Sequence, residues 1–140
     1  MEGSGLQGKL VDNAGKEYDA SSLASKKFIG IYFSAHWCPP CRGFTPVLAE
    51  FYNSCSKDDI EIVFVSSDQD EAKWKEYFAT MPWKSIPFGD ARKATLGQKH
   101  SVSGIPCLVI IKPDGTVISA NARNDVQSKG PAAIAAWESK

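Results

Sequence analysis

The sequence predicts an α/β sandwich in which a mixed central β-sheet is flanked by helices. Three observations carry that expectation. Apolar runs of strand length alternate along the chain with apolar stripes of helical period. Two of those runs, residues 28–33 and 60–66, are apolar almost throughout, which suits parallel strands covered on both faces. A Pro113-Asp114-Gly115 turn then joins a third run to a short return strand, so the sheet closes in a hairpin and not in another crossover.

Taken in order, residues 8–12 form a short edge strand that turns at Asn13-Ala14-Gly15, and residues 19–24 form a helical turn. The first buried strand, 28–33, leads to a helix opened by Cys38. On it Phe44, Val47, Leu48, Phe51, Tyr52 and Cys55 follow spacings of three and four, which marks one face. Pro46 removes a backbone bond and kinks this helix without ending it, because the stripe continues beyond it. The second buried strand, 60–66, precedes a helix from Asp70 with Trp74, Tyr77, Phe78 and Met81 on its face. Pro82 and Pro87 mark irregular chain before a short helix over 92–99. Strand 107–111, the turn and the return strand 116–119 follow. Gly130-Pro131 starts a last helix that carries Ile134 and Trp137, with proline at the favoured first-turn position. The predicted order is βαβαββα.

Composition narrows the function. A chain of 140 residues without repeats or linker-like stretches reads as one domain over residues 1–140. Sixteen basic residues balance sixteen acidic ones, so no strong field draws it to nucleic acid or anionic lipid. The first ten residues have neither the basic nor the apolar region of a secretory signal. No apolar run approaches the roughly 18 residues that span a bilayer. A monomer in the cytoplasm, with the nucleus as an alternative, is the resulting expectation. Four cysteines are too few for a disulfide-stapled scaffold, and in a reducing compartment they point to redox chemistry or metal binding.

Trp37-Cys38-Pro39-Pro40-Cys41 lies between a buried strand and an amphipathic helix. A cysteine at a helix start faces unpaired amides and the positive end of the macrodipole, and both favour thiolate over thiol. Cys41, three residues on and one helical turn away, can reach Cys38 and resolve a mixed disulfide. The two prolines stiffen the loop and remove two N–H donors, which leaves the Cys41 amide as the donor toward Cys38. Zinc needs four ligands, and only Cys55, Cys107, His36 and His100 remain, with no second paired motif. Redox activity is therefore favoured over a metal site or a structural disulfide. Trp37 reads as a partly exposed apolar platform for substrate, His36 as a solvent-facing loop residue, and Cys55 as a buried, inert thiol.

Residues 32–46, Tyr-Phe-Ser-Ala-His-Trp-Cys-Pro-Pro-Cys-Arg-Gly-Phe-Thr-Pro, resemble the active-site region of the tryparedoxin and nucleoredoxin branch of the thioredoxin superfamily. Residues 61–70, followed by Met81-Pro82-Trp83 and Ile86-Pro87-Phe88, are similar to nucleoredoxins in particular. Ile105-Pro106 before a strand resembles the superfamily's cis-proline loop, which packs beside the dithiol and offers backbone groups to a substrate peptide. The resemblance runs from Gly8 to Trp137. It implies a thioredoxin-like three-layer sandwich, catalytic Cys38 and Cys41, and substrate contacts from Trp37, Pro39, Pro40, Ile105 and Pro106. It implies no metal and no organic cofactor. Its partners would be disulfide-containing proteins or small molecules, and an upstream reductase or dithiol.

Three departures matter. Tyr32 stands six residues before Cys38, where thioredoxins proper carry a buried aspartate, so some other group must take the Cys41 proton. Ser67 replaces a tryptophan of tryparedoxins, which counts against a trypanothione-type substrate. Cys107 follows the expected cis-proline, where a small hydroxyl residue is usual, and is expected to pack as a spectator. The functional reading is a thiol–disulfide oxidoreductase that reduces disulfides through Cys38 and Cys41. The alternative is a redox-sensing interaction module that uses the same dithiol to control partner binding.

Overall fold

The apolar runs become the middle of a seven-stranded sheet in a computed structural model of the chain, which describes residues 2–56 and 58–140. The strands are β1 (Lys9–Val11), β2 (Glu17–Asp19), β3 (Phe28–Ser34), β4 (Ile60–Ser66), β5 (Lys84–Ser85), β6 (Cys107–Ile111) and β7 (Val117–Ser119). Their spatial order is β2-β1-β5-β4-β3-β6-β7. β3 runs parallel to β4 and antiparallel to β6, β4 runs parallel to β5, and the outer pairs are antiparallel. The sheet is mixed, as expected.

Five helices cover it: α1 (Pro39–Ser54), α2 (Glu71–Phe78), α3 (Arg92–Lys99), α4 (Ala122–Lys129) and α5 (Ala133–Glu138). Side chains alternate across a strand, and β3 is buried at all seven of its positions. Phe28 and Tyr32 therefore join a core with residues of α1, α2, α4 and α5. Ile29, Ile31 and Phe33 face the other way, onto Leu23 of a 3₁₀ turn (Ala20–Leu23) and Leu96 of α3. Gly30 lies between Phe28 and Tyr32 on the aromatic side, where a Cβ would come within 3.3 Å of both Ile62 and Leu108. A side chain there would press on residues of both neighbouring strands.

The buried carboxylate of Glu61 interrupts an otherwise apolar strand. It is held by the Lys84 ammonium at 2.8 Å, the Tyr52 hydroxyl at 2.8 Å and the Ile62 amide at 3.0 Å. A buried charge persists only when paired and hydrogen-bonded in this way. The pair also explains β5, whose two residues are too few to show any period in the sequence.

Four elements differ from the sequence expectation. β2 and β5 are additional strands, and the order βαβαββα, which also leaves out the short edge strand expected at β1, has four strands where the sheet has seven. α4 occupies chain with no predicted structure, because its only buried residues are Ala122 and Val126, too weak a stripe to stand out. Gly130, at φ +56°, ends α4 and does not begin the last helix, which starts at Ala133 after a 3₁₀ turn (Gly130–Ala132). Two stripe assignments also shift. Val47 is exposed at the margin of the α1 stripe, while Met81 lies past the end of α2 yet stays buried.

Replacing Gly30 by valine should lower stability by about 1–3 kcal/mol, the usual cost of overpacking a filled core. Urea denaturation measures this, and an unchanged midpoint would show that the sheet does not close tightly over residue 30.

Candidate active site

The register of β3 against β6 builds the site. Phe33 pairs with Cys107, and the strands are antiparallel. The chain leaving β3 and the chain entering β6 therefore meet at one end of the sheet. The first carries Ala35 to Cys38; the second carries Ile105 and Pro106, joined by a cis peptide bond. Cys38 takes an extended conformation as the N-cap of α1, and Pro39 and Pro40 fill its first two positions. Proline is tolerated there because first-turn amides have no helical acceptor.

Cys38 Sγ lies 3.9 Å from the Ile105 carbonyl oxygen and 2.6 Å from Cys41 Sγ. Both cysteines are free thiols and form a small cluster with Ala35, against which Ile105 packs. Cys38 keeps 5% of its surface and Cys41 none, so a molecule arriving from solution meets Cys38 first. Burial, and then the bond to the Cys38 sulfur, push the Cys41 thiol up to about 11; hydrogen bonds from the Ser34 hydroxyl and the Ala35 backbone work against that rise. Cys41 thus keeps its proton at neutral pH.

The loop around the pair is tied to the end of β4. The Asp68 carboxylate accepts from the His36 amide at 2.9 Å and from the Ser66 hydroxyl at 2.7 Å. The Ser67 amide donates to the Ser34 carbonyl at 2.9 Å, and the Trp37 indole N–H donates to the Ser67 carbonyl at 3.3 Å. Trp37 is held by its nitrogen yet 58% exposed, the partly exposed apolar surface expected of it. Pro39 and Pro40 are exposed beside it, Ile105 is half-buried and Pro106 is buried. His36 departs from the solvent-facing reading. Its ring is half-buried edge-on to Tyr77, 5.6 Å between centroids, and Nε2 is 3.9 Å from Glu76.

The other two thiols lie outside the cluster of Cys38 and Cys41. Cys107 packs against the core on the α3 side of the sheet, which includes Phe33, and burial raises its pKa. Cys55 is half-buried at the end of α1, not fully buried as the stripe suggested, and burial together with Asp59 pushes it up to about 11. Arg123 sits over the ring of Phe44, with its guanidinium carbon 5.9 Å from the centroid. Among the described residues, no group of three or more His, Cys, Asp or Glu is placed to hold a metal ion. No helix among them is long and apolar enough to cross a membrane.

Sequence reasoning missed a buried set of hydroxyls behind Cys41. Ser34 Oγ is 2.8 Å from the Tyr77 hydroxyl, which is 2.6 Å from Thr45 Oγ1; Thr45 is in turn 2.6 Å from the Tyr32 hydroxyl. Thr45 Oγ1 also lies 2.9 Å from the Cys41 carbonyl oxygen. The available signals were Tyr32 in the place of an acid, and Thr45 four residues after Cys41, in reach of its carbonyl.

In a Cys38→Ser variant, alkylation of Cys41 by iodoacetamide should show a midpoint well above the free-thiol value of about 8.5. Burial, the larger cause of the shift, survives that substitution, so a midpoint at the free-thiol value would show that Cys41 is not sequestered.

Comparison with known proteins agrees with this geometry. A family model described as Thioredoxin-like matches residues 26–117. Nucleoredoxin from Mus musculus is 42% identical over 124 residues, which are 86% of this chain and 28% of that protein. The chain thus spans little more than a quarter of the nucleoredoxin it matches. Tryparedoxin from Trypanosoma brucei brucei is 42% identical over 120 residues, 84% of this chain and 82% of the relative. The crystal structure of a thioredoxin from Wuchereria bancrofti superposes with a TM-score of 0.83 at 42% identity, covering 96% of both chains. The paired cysteines at a helix start, beside a cis-proline loop on a mixed sheet, are set in a chain whose relatives are redox proteins along most of its length: it belongs to the thioredoxin-like family, in the branch of the nucleoredoxins and tryparedoxins.

Proposed function

We propose that the chain is a dithiol reductase of protein or small-molecule disulfides, with Cys38 as nucleophile and Cys41 as resolving thiol. The observation that supports this best is the asymmetry of the pair. The sulfurs are 2.6 Å apart, but only Cys38 reaches the surface, and Cys41 is buried with its thiol pushed up to about 11. One sulfur is placed to attack and the other to wait.

In the first half of the reaction the Cys38 thiolate attacks one sulfur of a substrate disulfide. The substrate S–S bond breaks, one substrate thiolate leaves with its electron pair, and a Cys38–substrate mixed disulfide remains. In the second half Cys41 loses its proton and attacks Cys38 Sγ. The Cys38–Cys41 bond forms, the second substrate thiolate leaves and is protonated, and two electrons have passed to the substrate. An upstream reductase or dithiol then returns the pair to the reduced state.

Substrate would lie on the exposed face of Trp37 and on Pro39 and Pro40, with the Ile105–Pro106 backbone along its other side. Ile105 supports that role because its carbonyl already faces Cys38 Sγ. Such a cycle suits a reducing compartment such as the cytoplasm, where the two remaining thiols also stay reduced.

Cys38→Ser should abolish turnover of an insulin disulfide assay, whereas Cys41→Ser should attack once and accumulate mixed disulfides. Comparable turnover by Cys38→Ser would overturn the choice of nucleophile. Cys107→Ser should retain most of the turnover and lose about 1 kcal/mol of stability for burying a hydroxyl. Mass spectrometry of the oxidised protein should find Cys38–Cys41 as its intramolecular disulfide; a main product containing Cys107 would place that thiol in the reaction.

A further inference from the structure

A buried thiol that must lose its proton needs somewhere to send it, and among the described residues no carboxylate acts on the Cys41 thiol. The groups that do are Cys38 at the start of α1, the Ser34 hydroxyl and the Ala35 backbone. Behind them stand Tyr32 from β3 and Tyr77 from α2. We propose that the hydroxyls of Ser34 and Tyr77, held in line by Thr45, carry the Cys41 proton from its sulfur to the cleft between α1 and α2, so that the mixed disulfide is resolved without a buried acid. The proposal rests on the dithiol reading above.

Four observations carry it. First, the hydroxyls are continuous, at 2.8 Å from Ser34 to Tyr77 and 2.6 Å from Tyr77 to Thr45. Second, they are buried: Ser34 is 0% exposed, Thr45 4% and Tyr77 4%. Bulk water therefore does not compete along the path. Third, Tyr77 and Thr45 also line a cleft of about 910 Å³ between α1 and α2, around which His36, Arg42, Glu50 and Glu76 are placed. The far end of the path therefore borders that cleft. Fourth, the proton count works in both directions, because each hydroxyl has one proton to donate and can accept as well. With Cys41 protonated, its S–H donates to Ser34, Ser34 to Tyr77, Tyr77 to Thr45, and both Thr45 and Tyr32 to the Cys41 carbonyl oxygen, at 2.9 Å and 3.4 Å. With Cys41 ionised, Tyr32 donates to Thr45, Thr45 to Tyr77, Tyr77 to Ser34, and Ser34 to the sulfur. Every O–H proton is bonded in both arrangements.

The step balances as follows. In the Cys38–substrate mixed disulfide, the Cys41 proton passes to Ser34 Oγ as the Ser34 proton passes to Tyr77, whose own proton leaves to water in the cleft. The Cys41 thiolate then attacks Cys38 Sγ. The Cys38–Cys41 bond forms, the bond from Cys38 to the substrate sulfur breaks, and the substrate thiolate departs with that electron pair and takes a proton from solvent. Ser34, whose hydroxyl bears on the Cys41 thiol, acts through that sulfur and is a positioning residue. Tyr77 and Thr45 act through Ser34 and are positioning residues.

Tyr77→Phe removes one link while keeping the ring that packs edge-on to Phe64 at 5.6 Å. The assay is stopped-flow reaction of reduced protein, in excess, with a symmetrical chromogenic aromatic disulfide. Attack by Cys38 releases one coloured thiol, and resolution by Cys41 releases the second. Tyr77→Phe should leave the first phase unchanged and slow the second about tenfold at neutral pH, the scale of one hydrogen bond to a charged group. The second phase should recover as pH rises and hydroxide replaces the path. Ser34→Ala, a smaller change, should do the same, and the unchanged first phase certifies that each variant is folded. Second phases at the wild-type rate across the pH range would overturn the proposal, as would a slowing that is equal at every pH, since that reports packing alone. Release of only one coloured thiol by the wild-type protein would instead overturn the dithiol reading itself.

Discussion

Strand β3 is hydrogen-bonded along both edges and packed on both faces, and that double constraint governs the rest of the molecule. A strand buried at every position must be apolar almost throughout, must have helices on each side, and can release its chain only at its ends. The chain leaves β3 at its C-terminal end and has to turn directly into α1. Parallel pairing with β4 and antiparallel pairing with β6 then bring two further loops to the same end of the sheet. The site's geometry is thus a consequence of sheet register, and Cys38, Cys41, Ile105 and Asp68 come together without any one local motif positioning them all.

Burial differentiates two chemically identical side chains. Cys38 and Cys41 are three residues apart, yet one is an N-cap that keeps 5% of its surface and the other lies a turn inside with none. Taking a thiol out of water disfavours its ionised form, so the inner cysteine is held protonated by the same packing that stabilises the helix. A charged base beside it would have to be desolvated as well. The neutral hydroxyls of Ser34, Tyr77 and Thr45 carry no such cost.

The parts of this architecture that were legible in the sequence are those where a pattern repeats over several residues. Strand β4 and strand β6 match their apolar runs, β3 exceeds its run by Ser34 alone, and α3 begins and ends where it was expected. The dithiol was legible because four residues of unusual chemistry are contiguous, and Ile105-Pro106 because a proline precedes a strand. β5 was not, since two residues have no period and Lys84 is present there to neutralise Glu61 from another strand. α4 was not, since Ala122 and Val126 alone make no stripe. The hydroxyls of Ser34, Thr45 and Tyr77 were hidden for a different reason. They come from β3, α1 and α2, each is ordinary in its own element, and only the tertiary packing makes them neighbours.

The setting of the tryptophans has an optical consequence. Trp74, Trp83 and Trp137 are between 1% and 7% exposed and share the aromatic core on one side of the sheet, whereas Trp37 is 58% exposed and adjoins Cys38 in sequence. Its indole is pinned by one hydrogen bond to Ser67, so it cannot swing freely away from the neighbouring sulfurs. Three chromophores are therefore shielded from water, and a single one stands exposed next to Cys38. Were Cys38 and Cys41 to join, the tryptophan placed to register it would be Trp37, on the surface proposed for substrate.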